Sequence, residues 1–150
     1  MNNHIAPDHP RLSFLFYLAE DSTPQAKEQI ATLIAGLGGV RQWMLGPPVL
    51  VDRVDEAAGS DSAVETLGGA LEIYSALPPD ELPGDVDRMH LEEVETIVSS
   101  VRELSQRAGL TFEFELGGTF VGAIEDGVVD RTLQRGLLDE WRAHLGNKRG

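Results

Sequence analysis

The most constraining stretch of this chain is Leu110 to Ile124. There Thr111-Phe112-Glu113-Phe114-Glu115-Leu116 alternates apolar and polar side chains up to Gly117-Gly118, and Thr119-Phe120-Val121-Gly122-Ala123-Ile124 returns. A period of two on either side of a two-residue glycine turn specifies an antiparallel hairpin. Direct pairing across the turn sets Leu116 opposite Thr119, Phe114 opposite Val121 and Phe112 opposite Ala123, all on one face. Glu113, Glu115, Phe120, Gly122 and Ile124 then share the other. If helices cover the first face, Phe120 and Ile124 stand in solvent beside two glutamates. Aromatic and aliphatic side chains among carboxylates have the composition of a recognition patch for a basic partner. The bland reading tucks Phe120 under a loop such as Leu77 to Arg88.

The rest of the chain supplies the cover. Leu12 to Leu18 is apolar throughout, as a central strand buried on both faces would be. Thr23-Pro24 reads as a helix N-cap followed by proline at the first helical position. Ala26, Ile30, Leu33, Ile34 and Leu37 form the apolar stripe of that helix, and Gly38-Gly39 ends it. Val40 to Leu45 and Val49 to Val54 read as two short strands around Gly46-Pro47-Pro48. Asp55 to Thr66 is expected to be loop or short helix, Leu67 to Ala76 a strand, and Leu77 to Arg88 a proline- and acid-rich loop. A helix is expected over His90 to Ala108, with Leu91, Val94, Ile97, Val98, Val101 and Leu104 inward. Asp130 caps a final helix with Leu133, Leu137, Leu138, Trp141 and Leu145 inward.

The order β-α-β-β-β-α-β-β-α implies an α+β fold, a mainly antiparallel sheet of about five to six strands with helices packed chiefly on one face. Residues 11–146 are expected to form a single domain, with a flexible segment before it (1–10) and a short tail after it (147–150). At 150 residues and 41% hydrophobic side chains, a packed core is affordable without a staple. The chain has no cysteine, which excludes a disulfide framework, a thiolate zinc site and a cysteine nucleophile. That fits a reducing compartment, and a cytoplasmic location is the simplest expectation. The run Leu12 to Leu18 is too short for a membrane span or a signal peptide.

Charge is the one extreme property: 12 Lys+Arg against 25 Asp+Glu give −13. Such a field repels nucleic acid and anionic lipid, attracts basic proteins, and in the bland reading simply keeps the chain soluble.

Candidate chemistry is sparse. Glu113 and Glu115 share a strand face, but acid–base work on a glycoside needs a cleft and one raised carboxyl, and a solvated strand explains them equally. Asp55, Glu56 and Asp61, and likewise Asp80, Glu81, Asp85 and Asp87, offer oxygen ligands without the spacing of a calcium loop. His4, His9, His90 and His144 lack a partner motif. Gly36 to Gly39 follows a helix instead of preceding one, so it is a helix stop and no phosphate cradle. Trp141 falls on an apolar stripe and reads as core; nothing places Trp43. No catalytic residue, metal ligand or cofactor site is expected.

In size, charge and architecture the chain resembles the small, acidic, cytoplasmic immunity proteins of bacterial toxin systems. That resemblance implies a non-catalytic inhibitor that covers a basic toxin with acidic loops and an aromatic patch. The contacts would be Glu113, Glu115, Phe120, Ile124, Asp80, Glu81, Asp85 and Asp87. Two other classes stay open: a homodimer or higher oligomer associating through the Phe120 face, and an enzyme using surface carboxylates without a local motif.

Overall fold

The structure, a computed structural model, describes residue 5 and residues 8–56, 63–76 and 81–147. Strands β1 (Arg11–Leu18), β2 (Val49–Glu56), β3 (Ala63–Tyr74), β4 (Phe112–Leu116), β5 (Thr119–Glu125) and β6 (Val128–Val129) form one antiparallel sheet in the order β2-β3-β1-β4-β5-β6. Helices α1 (Pro24–Leu37) and α2 (Gly84–Ala108) are followed by α3, three consecutive helical pieces: Arg131–Leu133, the π-helical Gln134–Asp139 and Glu140–Asn147. The fold is α+β.

All three helices cover the same face. Phe14, Phe16 and Leu18 of β1, Leu67, Leu71 and Ile73 of β3, and Phe112 and Phe114 of β4 are buried beneath them. They meet Ile30 and Ile34 of α1, Val94, Ile97, Val101 and Leu104 of α2, and Leu133 and Leu138 of α3 in one apolar core. Phe14 stacks on Phe114 with centroids 5.7 Å apart, and Phe16 meets Phe112 edge-on at 6.0 Å, joining the two middle strands. β1 is central, as its composition suggests, yet only its Phe14 face is fully buried. Leu15 and Tyr17, on the opposite side, are half-buried because none of the described helices covers them.

Local signals account for the helix ends. Thr23 Oγ1 accepts from Ala26 N–H at 3.0 Å, and Asp130 Oδ1 accepts from Leu133 N–H at 2.8 Å, so both expected caps are made. α2 ends at Gly109 in the left-handed conformation (φ 70°).

Several expectations are corrected. Val40 to Leu45 is no strand: the chain bends there, and its groups bond to helices instead of a sheet. Trp43 Nε1–H donates to Leu37 O at 3.0 Å, and Met44 N–H donates to Glu93 Oε2 at 2.7 Å. β2 and β3 run further than their apolar cores, to Glu56 and from Ala63, because cross-strand pairing continues through polar residues. α2 starts at Gly84, so Asp85 and Asp87 lie in its first turn, where acidic side chains suit the helix dipole. β6, unexpected, closes a second hairpin through Asp126 (φ 51°) and Gly127 (φ 75°).

The most consequential correction lies in the first hairpin. Leu116 pairs with Thr119 and Glu115 with Phe120, but the register then shifts, so that Phe114 faces Gly122, Glu113 faces Ala123 and Phe112 faces Ile124. Val121 is the extra residue of a β-bulge, and a one-residue slip exchanges the faces of everything beyond it. Ile124 is therefore fully buried in the core, 0% exposed, and leaves the open face. Gly122 permits the bulge: its φ is 143°, and a Cβ there would lie 2.5 Å from Leu133 Cβ.

Candidate functional site

Because the helices lie on one side, the described residues leave the other side of the sheet open, and the pairing registers read out its rows directly. One row runs Val49–Ala70–Leu15–Glu115–Phe120 across β2, β3, β1, β4 and β5. The next runs Val51–Gly68–Tyr17–Glu113–Ala123 across the same strands. Five strands at the usual spacing make this face about 19 Å wide. These two rows are apolar or small except for the two glutamates of β4 and the Tyr17 hydroxyl; the rows beyond them add Arg53 of β2 and the ion pair of Arg11 on β1 with Glu72 on β3 (3.2 Å) to the same face. Phe120 is 51% exposed at one end of its row and Val49 59% exposed at the other.

The two carboxylates are organised by Tyr17. Its hydroxyl donates to Glu113 Oε1 at 2.9 Å. Burial holds the phenol protonated well above the ordinary tyrosine range; its hydrogen bond to Glu113 and the charges of Glu113 and Glu115 act in the same direction. The face thus presents an acidic centre flanked by apolar side chains, with one phenol pinning a carboxylate in place. Among the described residues, none of the four main recesses is lined by Glu113 or Glu115. The arrangement offers charge and apolar contact on an open sheet face.

The structure does not bring all the acidic candidates onto this face. Glu81 and Asp85 are exposed but belong to the approach and first turn of α2, on the helix side. Asp87 is 1% exposed, and its Oδ1 accepts from Trp141 Nε1–H at 2.8 Å, so it ties α3 to α2 and cannot meet a partner as a surface residue. Asp80 and Asp61 lie outside the described residues. Glu113, Glu115 and Phe120 are the candidates that come together.

A second polar constellation is one the sequence reading passes over. His90 and Glu93 are both fully buried, with His90 Nδ1 2.6 Å from Glu93 Oε1. Tyr74 N–H donates to His90 Nε2 at 3.2 Å, so the ring's proton is on Nδ1 and goes to Glu93. Glu93 Oε2 takes the Met44 N–H described above. Both side chains are sealed from solvent, and the two outer bonds of the pair go to backbone N–H groups, so this dyad joins β3, α2 and the 38–48 segment. A signal was present: extending the Leu91–Leu104 stripe back by helical steps lands on Asp87 and His90.

Among the described residues no group of three or more His, Asp or Glu side chains is placed to hold a metal ion. No helix among them is long and apolar enough to cross a membrane. No protein-family model matches the chain, and no curated protein or solved structure matches it either.

Proposed function

We propose that this protein is a non-catalytic, stoichiometric inhibitor of a basic protein, acting in the manner of an immunity protein and docking through the open face of its sheet. The observation that carries this reading is the row Leu15–Glu115–Phe120 beside Tyr17–Glu113: an exposed aromatic and two carboxylates with apolar neighbours in the same two rows, on a face that none of the described helices covers. Interfaces gain most from a few aromatic anchors at a desolvated centre, while charge sets encounter rate and selects the partner. The net charge of −13 extends that selection over the whole surface, with Glu81 and Asp85 contributing at long range. A cysteine-free chain suits work in a reducing cytoplasm.

The test is capture from lysate of the source cell with the purified protein as bait, alongside the variants Phe120→Ser and Glu113→Gln/Glu115→Gln. One basic protein recovered near 1:1, released by salt and inhibited in its own activity by the bait, supports the reading if both variants weaken it at least tenfold. A partner held equally by both variants places the interface elsewhere. A dimer in light scattering that Phe120→Ser dissolves overturns the reading in favour of self-association.

A further inference from the structure

A recess opens on the helix side at the end of the sheet that carries the Gly117-Gly118 turn. Its floor is Leu12, Ile73 and Leu116, from three adjacent strands, and its wall is Leu137 and Trp141 of α3. The volume is about 320 Å³, at the lower end of what ligand pockets offer and enough for one or two large side chains. Gly136 also lines it, so the wall carries no side chain at that point. Around this apolar interior stand two carboxylates, Asp87 and the exposed Glu140, against one imidazole, His144.

We infer that this recess receives an aliphatic or aromatic side chain from a basic peptide segment, one flanked by lysine or arginine. The apolar floor selects the anchor. The carboxylates select the flanks: they oppose a fatty acid or an acidic peptide, and at −13 a second copy of this chain is also disfavoured. Asp87 acts through its charge alone, because Trp141 already holds its Oδ1. The position is informative too. Leu116 lines the recess, while its chain neighbour Glu115 points to the open face opposite Phe120. One basic segment passing round the end of the β4–β5 hairpin would therefore meet both. The inference adds a second contact to the proposed inhibitor role, and it is tested without the whole partner.

The probe is a synthetic heptapeptide, Arg-Lys-Leu-Phe-Leu-Lys-Arg, with two controls in which the basic residues become serine or glutamate. Binding is followed by NMR on the indole N–H of Trp141, assigned with a Trp43→Phe variant. The basic peptide is expected to shift that resonance saturably at low salt, and the serine and glutamate peptides to bind at least tenfold more weakly. Gly136→Phe fills the recess. An ideal Cβ at Gly136 touches nothing nearer than Thr132 Cγ2 at 3.9 Å, so the backbone accepts the change. This variant is expected to lose the basic peptide at least tenfold while keeping its far-UV circular dichroism, and Glu140→Lys to weaken it several-fold. A serine peptide that binds as well as the basic one overturns the inference, as does a folded Gly136→Phe that binds unchanged. Loss of peptide binding in Gly136→Phe with full retention in Phe120→Ser separates this site from the open face, whichever of the two proves to hold a whole partner.

Discussion

Trp141 Nε1–H and Asp87 Oδ1 meet at 2.8 Å, and this bond fastens the last helix to the first turn of α2. It spans 54 positions of sequence and involves a carboxylate that is 1% exposed. Trp141→Phe keeps most of the ring and removes the donor. A buried carboxylate left short of a hydrogen bond costs about 1–3 kcal/mol, which would appear as a lower urea midpoint at unchanged slope.

The buried Glu93 accepts from two donors, His90 Nδ1–H and Met44 N–H. Glutamine offers one acceptor oxygen and an amino group, so one of those donors would face another donor. Glu93→Gln is therefore expected to destabilise by about 1–3 kcal/mol. The Met44 amide should exchange with solvent deuterium markedly faster, since its fastening to α2 is what fails. An unchanged Met44 exchange rate would refute this account of the dyad.

Tyr17 gives a pH dependence with a definite sign. Folding raises its pKa above the ordinary 10.0 through burial first, then through Glu113 and Glu115. Above that ordinary value the unfolded chain releases the phenolic proton while the native state keeps it, so the unfolded state binds fewer protons and stability falls as pH rises. Below it the contribution is fully present. Urea midpoints measured from pH 8 to 11 should decline more steeply for the natural protein than for Tyr17→Phe, and equal slopes would contradict the assignment.

Two glycines predict opposite outcomes from one substitution. Gly122→Ala forces a Cβ to 2.5 Å from Leu133 Cβ and 2.6 Å from Leu133 N, at a φ of 143° that L-residues avoid. It is expected to cost about 2 kcal/mol or more. Gly136→Ala meets only ordinary contact in the π-helical stretch of α3, at a φ outside the left-handed region, and should stabilise by about 0.5–1 kcal/mol through the unfolded state. Thermal melts of the two variants check both signs.

What could be read from the residues follows from how local the determining physics is. The caps at Thr23 and Asp130, the Gly117-Gly118 turn and the α2 stripe are short-range patterns, and the structure contains each of them. Glu115 and Phe120 land on the uncovered face because they lie between the turn and the bulge, where direct pairing holds; Glu113 lies beyond it but on β4, which carries no extra residue, so it keeps the face of Glu115. Ile124 lies beyond Val121, and one inserted residue exchanges its face; nothing in the alternation announces a bulge, although Gly122 is the residue that permits it. The Asp126-Gly127 turn is legible too, since Asp-Gly favours a two-residue hairpin loop. The recess and the His90–Glu93 dyad were not legible. Each is assembled from strands and helices far apart in the chain: the helical stripe of α2 reaches back to Asp87 and His90, but only tertiary packing sets Tyr74 against His90, Met44 against Glu93 and Trp141 against Asp87.

β1 sits in the middle of the sheet although it comes first in the chain, and one of its two neighbours, β4, comes from the last third: Tyr17 and Glu113 bond across 96 positions. During synthesis, β1 can be flanked on one side once β3 has emerged, but its other edge has no partner until β4 follows α2 out of the ribosome. For that interval a strand of Leu, Phe and Tyr side chains presents open backbone donors and acceptors to whatever is nearby, which is the geometry that recruits a wrong strand. Contacts this distant in sequence also close slowly. A chain stalled before Phe112 would therefore carry its most adhesive segment half-paired, and the burden of keeping it from neighbours falls on charge repulsion and chaperones until the hairpin arrives.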